Sequence, residues 1–152
     1  MEHSEKAREL FLAGYNCAQS VFAAFCDETG LEEETALRLA SGFGGGFGRM
    51  REMCGALSGA VMVIGMKEGG YAPEDAAGKA AVYQSVQRLV KQFQAQNGTY
   101  LCRELIAGLE RHSGAAPDPR DAQYYKERPC LRFVEQACRL TEAYLRETVP
   151  SC

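Results

Sequence analysis

The residues of this chain best suited to chemistry are its cysteines, of which there are seven among 152 residues. Thiolates bind metal ions and exchange electrons with disulfides. No Cys-x-x-Cys pair occurs, which argues against a zinc knuckle and against a thioredoxin-type site. Because Cys-x-x-Cys-His is also missing, the sequence offers no c-type haem attachment motif. The count is odd, so at least one thiol stays unpaired in any scheme made only of disulfides.

Four of the cysteines fall where helices are predicted to begin, namely Cys17, Cys54, Cys102 and Cys130. The first follows Asn16, a good capping residue, and the last follows Pro129, which is favoured in a first helical turn. The free N–H groups and the positive dipole end of a helix start stabilise negative charge, and so lower the pKa of a thiol. We therefore predict that these four residues form a redox or metal centre.

The other three cysteines fit different roles. Cys26 and Cys138 lie inside predicted helices, on or beside apolar stripes, where cysteine packs as a small hydrophobic residue. Cys152 is the last residue of the sequence, and we expect it to carry an exposed thiol.

A glycine-rich segment, residues 42–48, precedes the second of the four cysteines. It lacks the Gly-Lys-Ser/Thr ending of a phosphate-binding loop, and no predicted strand precedes it. Arg49 and Arg51 leave an anion site as a minor alternative, and a tight connection between helices is another. Glycine lets a backbone approach a cofactor closely and direct N–H groups at sulfur atoms, which tunes a cluster. We therefore predict cofactor contacts from Gly44, Gly45, Gly46 and Gly55.

The elements that must position these residues are predicted to be helices. Strand patterns are almost missing, and Ala, Leu, Glu, Gln and Arg are abundant. Helices are predicted over residues 4–13, 17–28, 32–40, 54–67, 73–96, 101–108 and 129–148, with an exposed loop over 112–126. The sequence thus predicts an all-α fold. We expect one domain over residues 1–152, a helical bundle of about five to seven helices with a glycine-rich loop.

Charge and hydropathy exclude several classes of protein. The net charge is −3 and charges of both signs are interleaved, which is unlike the basic stripe of a nucleic-acid-binding protein. The first residues do not form a signal peptide, and the longest apolar stretch is far short of the roughly 20 residues that span a bilayer. We expect a cytoplasmic protein with no membrane insertion. In that reducing compartment stable disulfides are uncommon, which favours metal binding or redox chemistry. The sequence does not identify a redox partner, and it leaves formation of a homodimer undecided.

The ordered motifs resemble a known family. Asn-Cys-Ala-Gln at 16–19 is followed by the glycine-rich segment, by Cys-Gly-Ala-Leu-Ser-Gly at 54–59, by Cys-Arg-Glu-Leu at 102–105 and by Cys130. This order resembles the C_GCAxxG_C_C family of small redox-active proteins of bacteria and archaea. The resemblance implies that Cys17, Cys54, Cys102 and Cys130 are the functional cysteines. A similar module occurs beside haem-binding segments in split-Soret cytochromes, which favours electron transfer.

Four functions stay open on the sequence. The favoured one is a four-cysteine centre that binds an iron–sulfur cluster or other metal ion for electron transfer or redox sensing, because four thiolates suit such groups. A dithiol–disulfide oxidoreductase or sensor without metal is the first alternative. A structural zinc site in an interaction protein and a plain helical scaffold with incidental thiols are the others.

Overall fold

The computed structural model describes residues 1–148, so the predicted exposed thiol of Cys152 lies outside the described residues. This part of the chain contains nine α-helices and no strand, which confirms the all-α prediction. In chain order they are α1 His3–Leu12, α2 Cys17–Ala24, α3 Cys26–Thr29, α4 Glu33–Ala40, α5 Gly55–Glu68, α6 Ala76–Asn97, α7 Cys102–Leu105, α8 Ala122–Glu127 and α9 Cys130–Thr148. A short 3-10 helix, Ser41–Phe43, follows α4.

The prediction of five to seven helices was too low, for two physical reasons. The predicted helix over 17–28 breaks at Phe25, whose φ of −105° and ψ of 25° separate α2 from α3. The ring of Phe25 is fully buried and stacks on His3 at 4.1 Å between centroids. The predicted loop over 112–126 contains all but the last residue of α8, because the Asp121 carboxylate accepts a bond from the Tyr124 N–H at 2.9 Å and Tyr124 is buried. Burial of aromatic rings therefore overrides the local sequence pattern.

The core is built around α2, which packs against α1, α4, α5 and α9. The closest approach is to α5, where a Cβ atom at Gly59 would lie 2.8 Å from the carbonyl oxygen of Ala18 and 2.9 Å from Cβ of Val21. Only glycine permits this spacing, and it brings the starts of α2 and α5 together. Cys17 and Cys54 lie at those two starts.

No helix within residues 1–148 is both long enough and apolar enough to cross a membrane.

Candidate functional site

Each of the four predicted cysteines lies at a helix start. Cys17, Cys102 and Cys130 are the first residues of α2, α7 and α9, and Cys54 caps the N-terminus of α5. For α2 the reason is a capping box, in which the Asn16 side chain accepts from the Gln19 N–H at 2.9 Å and the Gln19 side chain accepts from the Asn16 N–H at 3.0 Å.

Cys54 and Cys102 are held next to one another by a short backbone pairing. Met53 and Leu101 form an isolated antiparallel bridge. The N–H of Cys54 donates to the Tyr100 carbonyl at 2.9 Å, and the N–H of Cys102 donates to the Glu52 carbonyl at 2.6 Å. These bonds fix the backbone of both cysteines although they are 48 positions apart in the sequence.

All four cysteines line a single small cavity of about 60 Å³. Cys54, Cys102 and Cys130 are buried and Cys17 is half-buried, and all four thiols are free. The structure therefore brings together the four residues that the sequence singled out. Cys138 is instead fully buried in the core. Cys26, at the start of α3, is half-buried and packs against that core. The wall of this four-cysteine cavity also contains Arg51, Arg120, Tyr124 and Arg128.

Three of the four predicted glycines, Gly45, Gly46 and Gly55, line the four-cysteine cavity, whereas Gly44 lines a larger neighbouring cavity. A Cβ atom at Gly46 would lie 2.6 Å from Cβ of Cys102, and one at Gly55 would lie 3.3 Å from Cβ of Cys17. These glycines thus allow the backbone to lie directly against two of the cysteines. Their contact with a cofactor stays a prediction.

The loop that carries these glycines has an unusual backbone. Residues 45–49 and residue 51 all have positive φ angles, and three of them are not glycine: Phe47 at 70°, Arg49 at 64° and Arg51 at 62°. For such residues the left-handed conformation costs roughly 1–2 kcal/mol each. Backbone bonds hold the turn, with the Glu52 N–H donating to the Gly46 carbonyl at 2.8 Å. The result is that Arg49 and Arg51 both reach the same buried carboxylate, Asp118.

Of the four thiols, those of Cys17 and Cys130 influence one another's pKa most strongly. Hydrogen bonding from the Cys17 thiol is the main reason that the pKa of Cys130 is lowered. Burial opposes the effect, while the charges of Arg128 and Arg120 and a bond from Tyr124 add to it. The same bond, followed by burial, raises the pKa of Cys17 well above its ordinary value.

Burial is the main influence on the pKa values of the other two thiols, Cys54 and Cys102. It raises the pKa of Cys54 to about 12, although the backbone N–H groups of Ala56 and Leu57 act in the opposite direction. It also raises the pKa of Cys102, even though Nη1 of Arg51 donates to that sulfur at 3.7 Å. The expectation that each helix start lowers the pKa of its cysteine is therefore wrong for three of the four. Loss of hydration outweighs the helix N–H groups at Cys54 and the charge of Arg51 at Cys102, whereas at Cys17 the interaction with Cys130 is the larger cause and burial adds to it.

A buried carboxylate surrounded by cations adjoins the site, and the sequence did not reveal it. The side chain of Asp118 is 2% exposed and contacts Arg128, Arg49 at 3.0 Å, Arg51 at 3.8 Å and His112 at 3.1 Å. Burial acts to raise its pKa, but the bond and charge of Arg128, with the charge of Arg49, hold the pKa below its ordinary value. Its neighbours in sequence are Pro117 and Pro119, which gave the segment the character of an exposed loop.

Arg120 is a second group that sequence reasoning missed. Its guanidinium donates to the carbonyl oxygens of Phe11 at 3.1 Å and Tyr15 at 3.0 Å. It also lies over the rings of Phe11 and Tyr124, at 4.4 and 4.8 Å from their centroids. These contacts tie the segment before α8 to the end of α1 and place a cation beside Cys130.

The spacing of the sulfur atoms limits which metal group would fit. Within residues 1–148, one group of three His, Cys, Asp or Glu ligand atoms lies within 4.8 Å of one another, and it is His3, Asp27 and Glu28. No three cysteine sulfurs come that close. A tetrahedral zinc ion with zinc–sulfur bonds of about 2.3 Å needs sulfurs about 3.8 Å apart. A single zinc ion would therefore require some of these sulfurs to move closer together.

Comparison with known proteins identifies the family of the chain. The chain matches no curated protein sequence and no solved structure. A family model described as "Putative redox-active protein (C_GCAxxG_C_C)" matches residues 15–144, a span that contains all four cysteines of the cavity. The chain belongs to this C_GCAxxG_C_C family of redox-active proteins.

Proposed function

We propose that the protein is an electron-transfer protein in which Cys17, Cys54, Cys102 and Cys130 hold an iron–sulfur cluster. The observation that carries the proposal is that four thiols from four separate helix starts line one cavity. Cysteine thiolate is the donor that binds such clusters, and four is the usual number of ligands. When bound, the cluster would supply one-electron chemistry.

The charges around the cavity support binding of four thiolates. Burying negative charge is costly unless positive groups or hydrogen bonds compensate it. Arg51, Arg120 and Arg128 line the same cavity, and the first of them donates to the sulfur of Cys102 at 3.7 Å. Hydrogen bonds to the sulfurs and burial are the protein's main means of setting a cluster's potential. These residues would therefore both stabilise the thiolates and tune the centre.

The spacing of the thiols favours a cluster over a zinc ion. Three sulfurs within 4.8 Å of one another are not found in the described cavity. A single tetrahedral ion would need the side chains to move inward, whereas a group of several iron and sulfide ions spans a wider set of ligands. We therefore favour an iron–sulfur centre over a structural zinc site as the function of the four cysteines.

Metal content of protein purified without air tests this proposal. We expect iron and acid-labile sulfide together with visible absorption, all lost in Cys54→Ser. The control is Cys138→Ser, because Cys138 is fully buried away from the cavity and its replacement should leave iron content unchanged. Protein with neither iron nor sulfide after anaerobic purification and after reconstitution with both would contradict the proposal.

A second candidate function is a dithiol–disulfide switch formed by Cys17 and Cys130. The observation that favours it is that both thiols line the same small cavity and that Cys17 acts to lower the pKa of Cys130. Mild oxidation would then remove two electrons and two protons from the pair and join the sulfurs, so that the count of free thiols falls by two. Cys17→Ser should abolish this fall and Cys54→Ser should not. In the cluster proposal both variants lose iron, so the pair of variants separates the candidates.

A further inference from the structure

We propose that the larger cavity beside the four-cysteine cavity binds a small oxyanion, the carboxylate or phosphate group of a small molecule. This cavity has a volume of about 350 Å³, and its wall contains Arg49, Arg51, Arg120 and Arg128. We call it the arginine cavity. That its ligand would lie next to an electron-transfer centre rests on the proposed function, whereas the binding itself does not.

The charge balance of the arginine cavity is positive. Four arginines line it, and arginine stays protonated at any ordinary pH. Asp118 is the one carboxylate of its wall, and Glu110, outside the wall, pairs with Arg51. The chain as a whole has a net charge of −3, so this concentration of positive charge is opposite to that of the molecule. Such a cleft attracts anions.

The single negative charge of Asp118 cannot neutralise all four arginines of the arginine cavity. Its buried carboxylate already accepts from Arg128 and from Arg49. Arg120 contacts only carbonyl oxygens and aromatic rings, and within residues 1–148 it has no carboxylate partner. A guanidinium has five N–H donors in a planar fork, and Arg120 uses two of its nitrogen atoms in these bonds. Its charge, which also acts on Cys130, has no carboxylate counterion within the described residues and can attract an oxyanion, a group that guanidinium binds in a bidentate manner.

The backbone supplies a second, independent observation. Arg49 and Arg51 both have positive φ angles, at 64° and 62°. Strained conformations of this kind persist only where the surroundings enforce them, and they concentrate at functional sites. Here the strain places two arginine side chains on the wall of one cavity.

The two cavities share part of their walls. A volume of about 350 Å³ falls within the range of small-molecule sites, roughly 300–1,000 Å³. Arg51, which donates to the sulfur of Cys102, belongs to both walls. The residues shared by the two walls are Asn16, Gly45, Arg51, Arg120, Tyr124 and Arg128. An oxyanion bound by Arg51 and Arg120 would therefore lie close to Cys102 and Cys130.

The test is calorimetric titration of the purified protein with inorganic phosphate and, separately, with acetate, at matched ionic strength. We expect saturable binding of at least one probe. The key variant is Ala115→Glu, since Ala115 is an exposed residue of the cavity wall and a carboxylate there would repel an anion. We expect it to weaken binding by about tenfold or more. Ala80→Glu, an exposed position on α6 that does not line the cavity, makes the same charge change and should leave binding unchanged.

Each outcome decides the proposal. Binding of phosphate alone, acetate alone or both assigns the class of ligand, provided that Ala115→Glu weakens it and Ala80→Glu does not. No saturable binding of either probe, or equal weakening by both variants, would overturn it. Iron and sulfide content is measured on the same samples. Ala115→Glu should retain the wild-type content, so a failed anion site and a failed cluster are distinguishable.

Discussion

Two cysteines on the same helix, Cys130 and Cys138, show what separates a residue of the candidate site from one that packs in the core. Both belong to α9, and their exposed fractions are 8% and 0%. Burial raises the pKa of Cys138, with a further contribution from Glu142. The pKa of Cys130 is instead lowered, because Cys17 donates to its sulfur.

The difference lies in what other elements bring to each residue. Cys130 is reached by Cys17 from α2, by Tyr124 from α8, and by Arg120 and Arg128 from the segments on either side of α8. Cys138 is surrounded by the apolar core. Burial by itself therefore yields an inert cysteine, and the site is made by the polar groups that converge on one end of α9.

The sharpest test of this contrast replaces each of the two cysteines. Cys130→Ser should abolish bound iron and sulfide, because it removes one of four ligands. Cys138→Ser removes a packing group only and should keep both. Iron per chain and the visible spectrum of anaerobic protein are the measurements. Retention of the full metal content by Cys130→Ser would show that α9 does not contribute a ligand.

Asp118→Asn tests the cations beside the site. Removing the charge of this buried carboxylate leaves Arg49 and Arg128 without their partner, and we expect the free energy of unfolding to fall by about 3–5 kcal/mol. Urea denaturation of metal-free protein measures it. As a control, Glu135→Gln removes surface ion pairs with the exposed Arg8 and Arg139 and should cost about 1 kcal/mol or less. Equal losses in the two variants would contradict the account.

The stability difference at Asp118 should also depend on pH. Because its pKa is lowered in the folded state, its contribution is present above the unfolded pKa of about 3.9 and is lost as the pH falls through the folded value. The gap between wild type and Asp118→Asn should thus be constant near neutral pH and should shrink below about pH 4. A gap that grows on acidification would contradict this sign.

Gly46 lines the four-cysteine cavity and Gly98 does not, so the two compare a glycine of the site with one outside it. Both have left-handed φ angles, 72° and 81°, but a Cβ atom at Gly98 would meet nothing within 4 Å. Gly98→Ala should therefore cost about 1–2 kcal/mol, from backbone strain alone. Gly46→Ala adds a clash with Cys102 and Arg51, for roughly 2–4 kcal/mol in all, and should lower metal content. Similar costs for the two variants would mean that the loop does not lie tightly against Cys102.

The smallest effect is expected from two helix caps, Asn16 of α2 and Asp75 of α6. Each side chain accepts a bond from a backbone N–H, and replacing either with alanine should cost about 1 kcal/mol. Only Asn16 precedes a cysteine of the site and lines the four-cysteine cavity. Asn16→Ala should therefore lower metal occupancy, whereas Asp75→Ala should not. Thermal unfolding and iron analysis of both variants check the prediction.

The sequence predicted those features that depend on local chemistry. The all-α fold followed from composition and apolar spacing, and the position of Cys17 followed from the Asn16 cap. The break at Phe25 did not, because it depends on burial of that ring against His3, which is distant in sequence. α8 was missed for a similar reason, since burial of Tyr124 stabilises a helix that the surrounding proline and glycine residues disfavour.

The charged residues around the cysteines, and their effects on pKa, could not be predicted from the local sequence pattern. Asp118 lies 69 residues from Arg49 along the chain, and nothing near either residue indicates that they pair. The pKa directions of Cys54 and Cys102 were also missed, because the cost of burial depends on tertiary packing and not on position within a helix. Grouping of the four cysteines was predicted, whereas the arginines that surround them were found only in the fold.

The most direct test of the central claim is electron paramagnetic resonance of the anaerobically purified protein before and after reduction with dithionite, together with its visible spectrum. We predict that reduction bleaches the visible absorption and changes the resonance signal, and that Cys54→Ser shows neither effect while Cys138→Ser retains both. Protein that gives no iron signal in either state, with Cys17, Cys54, Cys102 and Cys130 all titrating as free thiols, would contradict the claim that these residues hold an iron–sulfur cluster.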